Sequence, residues 1–359
     1  MHKILLSFIF ITANAIVFAQ SKTDSILLKN YRPVSIYKTP TADITKAAFP
    51  ITDMHSHDYA SSPAEIDSWV KTMDKLNIKR TLILTMQSEK GFDSVVEKYS
   101  RYPTRFEVWC GFDYTGYGTP GWQKHAVEEL ERCYKKGARG VGELGDKGEG
   151  ELYSKPVAGV GLHIDDPQMK PLLEKCAELH MPVIIHVAED EWMYKTPDST
   201  NDGLMNAAIW HVDMNKQGKL DHDALIRTLE NAVRDNPKTT FVACHLANTC
   251  SNLQVLGNLF DKYPNLYADI AARYGEISPV PRYTAAFFTK YQDRLVYGTD
   301  MGFDEKMYKT TFRILESADE HFYDIDQFNY HWPLYGLNLS KEVLKKLYGG
   351  NAEKILNHN

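Results

Sequence analysis

Apolar and polar positions follow two alternating patterns along most of the chain. Eight short apolar runs are typical of buried strands, and they span 49–55, 80–86, 106–112, 140–144, 182–187, 240–246, 266–271 and 295–299. Between them, apolar residues recur at the three-and-four spacing of amphipathic helices, at 64–76, 93–99, 122–136, 168–179, 224–234, 253–263, 285–291 and 307–315. This alternation predicts parallel strands joined by crossover helices, and eight repeats favour a closed (β/α)₈ TIM barrel over an open doubly wound sheet.

The segments outside this pattern define the domain organisation. Residues 1–19 combine a short basic start with an apolar run, which predicts a signal peptide and a mature start near Gln20. An uncleaved membrane anchor is the alternative. We expect 20–48 to form an N-terminal arm laid over a barrel domain at 49–359. Two insertions, at 145–166 and 188–221, follow the fourth and fifth strands. They begin at the carboxyl ends of these strands, where barrel enzymes carry their active sites, so they are candidate lids.

Composition and charge narrow the class of protein. The 359 residues carry 41 Lys and Arg against 47 Asp and Glu, for a net charge of −6, and no basic block indicates a nucleic-acid partner. After the N-terminal run, no stretch is apolar enough to span a bilayer. Five cysteines do not suggest a disulfide framework, and a pairing of Cys244 with Cys250 stays open. Together with the predicted signal peptide, the lack of a later apolar stretch predicts a secreted or periplasmic protein without a membrane span in its mature chain.

Titratable residues end several of the predicted strands. His55 and His57 end the first strand, where strand alternation places them on one face; His186 ends the fifth, His245 the sixth, and Asp300 follows the eighth. In a barrel these ends converge on one mouth, and imidazole and carboxylate groups are ligands for zinc and similar ions. Any one of these histidines could be an ordinary hydrogen-bonded residue. Four such strand ends together have no packing explanation, so they predict a metal site.

These residues resemble the amidohydrolase superfamily, and within it the amidohydrolase-related branch that also contains metal-dependent decarboxylases. The likeness lies in the His-x-His motif at 55–57, in His186 and His245, and in the Tyr-Gly-Thr-Asp segment at 297–300. It continues to the tail, where 350–356 is similar to a closing helix of the family.

The resemblance implies a divalent metal, with zinc as the expected ion and one ion or two in the site. The implied ligands are His55, His57, His186 and Asp300. Asp300 is also the expected catalytic base and then acid. His245 is implied either as a ligand of a second metal or as a hydrogen-bond donor to the substrate.

Glu143 has two interpretations. It ends the fourth strand, where some relatives carry a carboxylate or a carbamylated lysine that bridges two metals. It could equally accept a hydrogen bond from a ligand histidine or pair with a lid residue. Glu189, just after His186, has the same ambiguity.

The expected substrate-binding residues come from two strand ends. Arg273 follows the seventh strand and could bind a substrate carboxylate through a bidentate pair, or form an ion pair with Asp269 or Glu276. Asp269 could instead orient a metal-binding histidine. Trp192 and Tyr194 in the second insertion could shape an organic substrate pocket, or pack only on the barrel rim.

Together these features favour an exported metal-dependent hydrolase that cleaves a C–N or C–O bond of an amide, cyclic amide or lactone. The alternative is a non-oxidative decarboxylase on the same scaffold. A third hypothesis is an exported binding protein that has lost catalysis. The expected partner is a small molecule, with a carboxylate-bearing one favoured by Arg273, and a homo-oligomer is compatible with the sequence.

Overall fold

The computed structural model describes residues 25–147, 162–215 and 219–357. The predicted signal peptide and most of the first insertion lie outside the described residues. Within these ranges, every helix is too short or too polar to cross a lipid bilayer.

Eight parallel strands occur in the predicted order within the described ranges, and their carboxyl ends carry the polar residues singled out above. Their bounds are β1 Ile51–Ser56, β2 Ile78–Leu84, β3 Phe106–Trp109, β4 Val141–Asp146, β5 Val183–Val187, β6 Phe241–Ala243, β7 Leu266–Asp269 and β8 Leu295–Val296. Strands β1 to β3 form one sheet and β4 to β8 another. A bridge between Cys110 and Val141 joins β3 to β4, and the Met54 N–H donates to the Tyr297 carbonyl beside β8 at 2.9 Å. The predicted TIM-barrel fold is confirmed.

Helices follow the strands and pack on the outside of the sheets. The longer ones are α1 Pro63–Leu76, α2 Glu89–Tyr99, α3 Trp122–Lys136, α4 Lys170–Glu178, α7 His222–Asp235, α8 Gln254–Lys262, α10 Pro281–Lys290 and α11 Glu305–Glu316. Short helices are α5 Glu191–Tyr194 and α6 Leu204–Ala207 in the second insertion, α9 Tyr274–Ile277, α12 Ile325–Phe328, α13 Lys341–Lys345 and α14 Asn351–Leu356. Local sequence sets their ends. In α1, for example, Ser62 caps the first turn and Asn77 closes the last in a left-handed conformation.

The interior of the ring is filled by side chains from six strands. They form one buried cluster, closed at the amino-terminal end of the strands by Ala352 and Ile355 of α14, and its strand members include Met54, Leu84, Trp109, Ile184, Val242 and Val296. A buried cluster built from side chains of many strands is what fills the interior of a TIM barrel. A larger cluster fills the space between strands and helices.

The N-terminal arm lies against the loop that follows α11. The backbone N–H of Ala42 donates to Asp319 at 2.9 Å, and the Ser35 hydroxyl lies 3.1 Å from Nδ1 of His321. Apart from a 3₁₀ turn at Leu28–Asn30, the described part of the arm has no regular structure. Further toward its start, Arg32 of the arm lines the same cavity as His186 and His245, so the arm reaches the end of the barrel that carries the strand-end histidines.

Four predicted strands are clearly shorter in the structure. The runs at 106–112, 240–246, 266–271 and 295–299 pair only as β3, β6, β7 and β8, because the chain leaves the sheet early to form the rim loops. All five cysteines are buried and free, so Cys244 and Cys250 do not form a disulfide.

Candidate metal centre

The carboxylate of Glu143 lies among four imidazoles at the mouth of the barrel. Its Oε2 is 3.8 Å from Nε2 of His55 and 3.4 Å from Nε2 of His57. Its Oε1 is 2.9 Å from Nδ1 of His186 and 3.4 Å from Nε2 of His245. Each carboxylate oxygen therefore faces a pair of ring nitrogens.

Asp300 completes one side of this arrangement. Its Oδ1 lies 3.1 Å from Nε2 of His57 and 3.9 Å from Nε2 of His55, and its Oδ2 lies 3.8 Å from Nε2 of His245. The Tyr59 hydroxyl donates to Oδ1 at 2.8 Å. The ligand atoms of His55, His57 and Asp300 all fall within 4.8 Å of one another, which is close enough to share one ion.

The other ring nitrogen of three histidines is tied to the protein. In each case Nδ1 lies 2.8 Å from an oxygen: Asp269 Oδ2 for His55, the Leu84 carbonyl for His57 and the Ala271 carbonyl for His245. A carbonyl can only accept, so Nδ1 of His57 and His245 carries the proton and the neutral ring offers a lone pair at Nε2. Metal-binding histidines are held in this way in proteins.

His186 uses the opposite nitrogens. Its Nδ1 faces Glu143, while its buried Nε2 lies 3.4 Å from Oε2 of Glu189, which in turn pairs with Lys147. Glu189 therefore lies behind His186, on the side away from Glu143.

The charges of the centre fit a bound cation. Although burial disfavours its charged form, the carboxylates of Asp300 and Glu143 raise the pKa of His57 to about 9. Burial also opposes ionisation of Glu143, yet His55, His186 and His245 hold the pKa of its carboxyl well below the usual range. Two buried carboxylates thus require positive charge from the groups around them. A divalent ion would supply that charge and leave the imidazoles neutral, so the donor set suits a divalent metal.

Two β-bulges aim the central side chains. In β1, Asp53 and Ser56 are three residues apart, but the residues that pair with them in β2 are only two apart. Val141 and Leu144 in β4 show the same difference from their partners in β5. The extra residues fall at 54–55 and at 142–143. A bulge breaks the strict alternation of side chains and re-aims them. Met54 therefore packs in the barrel interior while the adjacent His55 reaches the centre.

The segment that follows β8 also approaches β1 closely at the centre. A Cβ atom on Gly298 would lie 2.7 Å from Cβ of His55, too close for any side chain. Asp53 of β1 contacts the same segment, since its carboxylate accepts from the Thr299 hydroxyl at 2.7 Å, and it also accepts from the His55 N–H at 3.2 Å.

Two groups at the centre were not expected from the sequence. Tyr59 contacts Asp300, and its position two residues after the His-x-His motif is the signal that could have indicated it. The thiol of Cys244 lies within 4.8 Å of ligand atoms of His55, Glu143 and His245. Burial raises the pKa of Cys244 well above its usual value, so it stays a neutral thiol.

A cavity of about 810 Å³ opens above the centre, and His186, His245 and Asp300 line it. Arg273 lines it too, but its guanidinium is engaged. Nε lies 3.0 Å from the carboxylate of Asp190, and the amide oxygen of Asn248 accepts from the same group. Among the described residues, Arg273 forms neither of the two ion pairs expected for it, because Asp269 binds His55 and Glu276 accepts from the Tyr330 hydroxyl.

The two lid aromatics have different surroundings. Trp192 lines the cavity. Tyr194 is not among the residues that line it; its hydroxyl accepts the backbone N–H of Glu189 at 3.1 Å, and its ring lies edge-on to His222.

Comparison with known proteins places these features in a family. Residues 52–357 match the family described as amidohydrolase, whereas no curated protein matches the sequence significantly. Among solved structures, an uncharacterised TIM-barrel protein from Bordetella bronchiseptica is 15% identical, covers 86% of this chain and 98% of its own, and has a TM-score of 0.52.

Two other solved structures are described as decarboxylases. A dihydroxybenzoic acid decarboxylase from a Polaromonas species, with bound manganese and the inhibitor 2-nitroresorcinol, is 14% identical over 86% of this chain and 97% of its own, with a TM-score of 0.54. A 5-carboxyvanillate decarboxylase from Novosphingobium aromaticivorans, also with manganese, is 13% identical over 89% and 99%, with a TM-score of 0.51. At these identities the likeness shows the shared fold.

The family match spans most of the chain and includes every residue of the candidate centre. It confirms the resemblance inferred from the strand-end histidines and Asp300. The chain belongs to the amidohydrolase family.

Proposed function

We propose that this protein is a metal-dependent hydrolase that cleaves a C–N or C–O bond of an amide, cyclic amide or lactone. The observation that carries the proposal is the position of Glu143, whose two oxygens each face a pair of imidazole nitrogens. A carboxylate placed in this way is suited to be shared by two ions. His55, His57 and Asp300 would hold one ion, and His186 and His245 the other.

Zinc is our proposed ion, because imidazole and carboxylate are its ordinary ligands. Manganese, which two neighbours of similar fold carry, is the alternative. The bound metal would act as a Lewis acid on a substrate carbonyl and lower the pKa of water.

Asp300 is the proposed proton carrier. Its Oδ1 is held by Tyr59, and its Oδ2 faces the cavity side of His245. The His55, His57 and His245 rings hold the pKa of Asp300 below its usual range against the effect of burial, so it is ionised and can accept a proton. It can then pass that proton to the leaving nitrogen or oxygen. His245, tied through Nδ1 to Ala271, is positioned to contact the substrate or the second ion.

A decarboxylase is the second candidate. The neighbours of similar fold described as decarboxylases support it, as does the set His55, His57 and Asp300, which could hold a single ion. In that reaction the centre would bind the carboxylate that is lost.

One experiment separates the two reactions. The metal-loaded protein is incubated with a panel of amides, cyclic amides and lactones, and separately with 2,6-dihydroxybenzoate and 5-carboxyvanillate. Both the hydrolysis products and carbon dioxide are measured. We expect hydrolysis that is lost in Glu143→Gln. Carbon dioxide release without hydrolysis, unaffected by Glu143→Gln, would identify the decarboxylase instead.

We also propose that the protein is exported, as the N-terminal sequence predicts. Mass spectrometry of the protein recovered from outside the cytoplasm should give a mature start near Gln20. An intact Met1 start would contradict export by cleavage.

A further inference from the structure

To recognise an anionic group away from the metal centre, the cavity needs a cation other than Arg273, which is already paired. Among the residues that the structure describes, three Arg or Lys side chains line it. Arg273 is paired with Asp190, and Lys147 is paired with Glu189. The positive charges of Arg273 and Lys147 are therefore already balanced by neighbouring carboxylates of the protein.

The third cation is Arg32, which the N-terminal arm brings to the mouth of the cavity. Its side chain is exposed, and within the described part of the chain its Nη1 donates only to backbone carbonyls of its own segment, at 3.1 Å to Lys29 and 2.9 Å to Tyr31. Among the described residues, no carboxylate forms an ion pair with it, although Asp326 lines the same mouth. Arg32 therefore has the charge and the open hydrogen-bonding capacity to accept an anion.

Apolar surface lies at the same mouth. Ile209 and Trp210, at the end of α6, line the cavity with 68% and 61% of their surfaces exposed. Large apolar side chains beside an exposed cation suit a ligand with an apolar body and a charged end.

We propose that Arg32, with Ile209 and Trp210, forms a recognition site for an organic anion at the mouth of the cavity. The substrate would then have an apolar body and carry an anionic group away from the bond that is cleaved. The inference deepens the proposed function by naming a substrate class, and it rests on that function only for the chemistry at the metal centre. The arm is thus a specificity element of the active site.

The test measures binding, so that it does not depend on which reaction the centre performs. The probes are naphthalene-2-sulfonate, whose sulfonate is a poor metal ligand, and the neutral methyl 2-naphthyl sulfone. Their dissociation constants are measured by calorimetry for the metal-loaded wild type, Arg32→Gln and Lys29→Gln. Lys29 is the matched control, since it lies on the same arm and loses the same charge but does not line the cavity.

We expect the wild type to bind the sulfonate about fivefold more tightly than the sulfone, because an exposed ion pair contributes a binding free energy of this order. Arg32→Gln should remove that preference, Lys29→Gln should keep it, and added salt should weaken it. Equal binding of both probes by the wild type, no binding of either, or a preference that survives Arg32→Gln would each overturn the inference. If the preference behaves as expected but no hydrolysis is found, only the proposed reaction fails.

Discussion

At the centre, individual histidines are fixed by what lies behind them. His57 and His245 each donate Nδ1–H to a backbone carbonyl, and His55 pairs with the buried carboxylate of Asp269. Because backbone carbonyls cannot take up a proton, two of the three rings keep one tautomer whatever happens at the mouth. Each ring therefore turns Nε2 toward Glu143 and Asp300 without further rearrangement.

Replacing Asp300 by Asn should abolish turnover while leaving the fold intact. The amide cannot accept the proton, and groups in this role contribute about 10²- to 10⁴-fold to the rate. Activity and circular dichroism are measured together. Asp326→Asn is the control, because Asp326 lines the same cavity but lies away from the centre. Near-normal activity in the Asp300 variant would refute its role in proton transfer.

Glu276 should make the stability of the protein fall with rising pH. Burial, and then the neighbouring Asp190, raise its pKa from 4.5 to about 8, although Arg273 and the Tyr330 hydroxyl oppose the shift. Between these two values the unfolded chain releases a proton that the folded chain keeps. The free energy of unfolding should therefore fall by up to about 1.4 kcal/mol per pH unit from this group.

Glutamine does not titrate, so the melting temperature of Glu276→Gln relative to wild type should rise from about pH 5 to about pH 8. Glu353→Gln, at an exposed position of α14, is the control for the effect of the substitution itself. A constant difference between Glu276→Gln and wild type across this range would mean that Glu276 is ionised throughout.

Among the secondary-structure elements, the sequence predicted the strands and helices better than the direction of the side chains. Apolar periodicity is a property of neighbouring residues, so the order of strands and the convergence of their ends could be read from it. The bulges in β1 and β4 could not, because they arise from register against the next strand. The sequence also could not decide between the alternative partners of Glu143 and Arg273, because their partners in the structure lie on distant elements.

Gly298→Ala should weaken metal binding more than it weakens the fold. The new methyl would lie 2.7 Å from Cβ of His55, so β1 and β8 must move apart at the centre, at a cost of about 1–3 kcal/mol. Metal content and melting temperature are the measurements. Gly350→Ala is the control, since its nearest atom lies at 3.4 Å. Full metal retention in Gly298→Ala would show that the centre tolerates this separation.

For the molecule as a whole, the barrel, the arm and the rim insertions have different roles. The barrel ends bring the ligand residues together, while Trp192 and the arm residue Arg32 line the cavity above them. The sequence indicated the barrel and the insertion as separate features. It did not indicate that the arm reaches the cavity, because the contacts of the arm with 319–321 span the length of the domain.

Elemental analysis of the dialysed protein tests whether the strand-end residues form a metal centre. The metal content per chain is measured for the wild type and for His55→Ala/His57→Ala. Because Glu143 faces two pairs of imidazoles, we predict about two divalent ions per wild-type chain and the loss of at least one in the double variant. A wild type without bound metal after growth in zinc and manganese, or a double variant with unchanged metal content, would contradict the proposed centre.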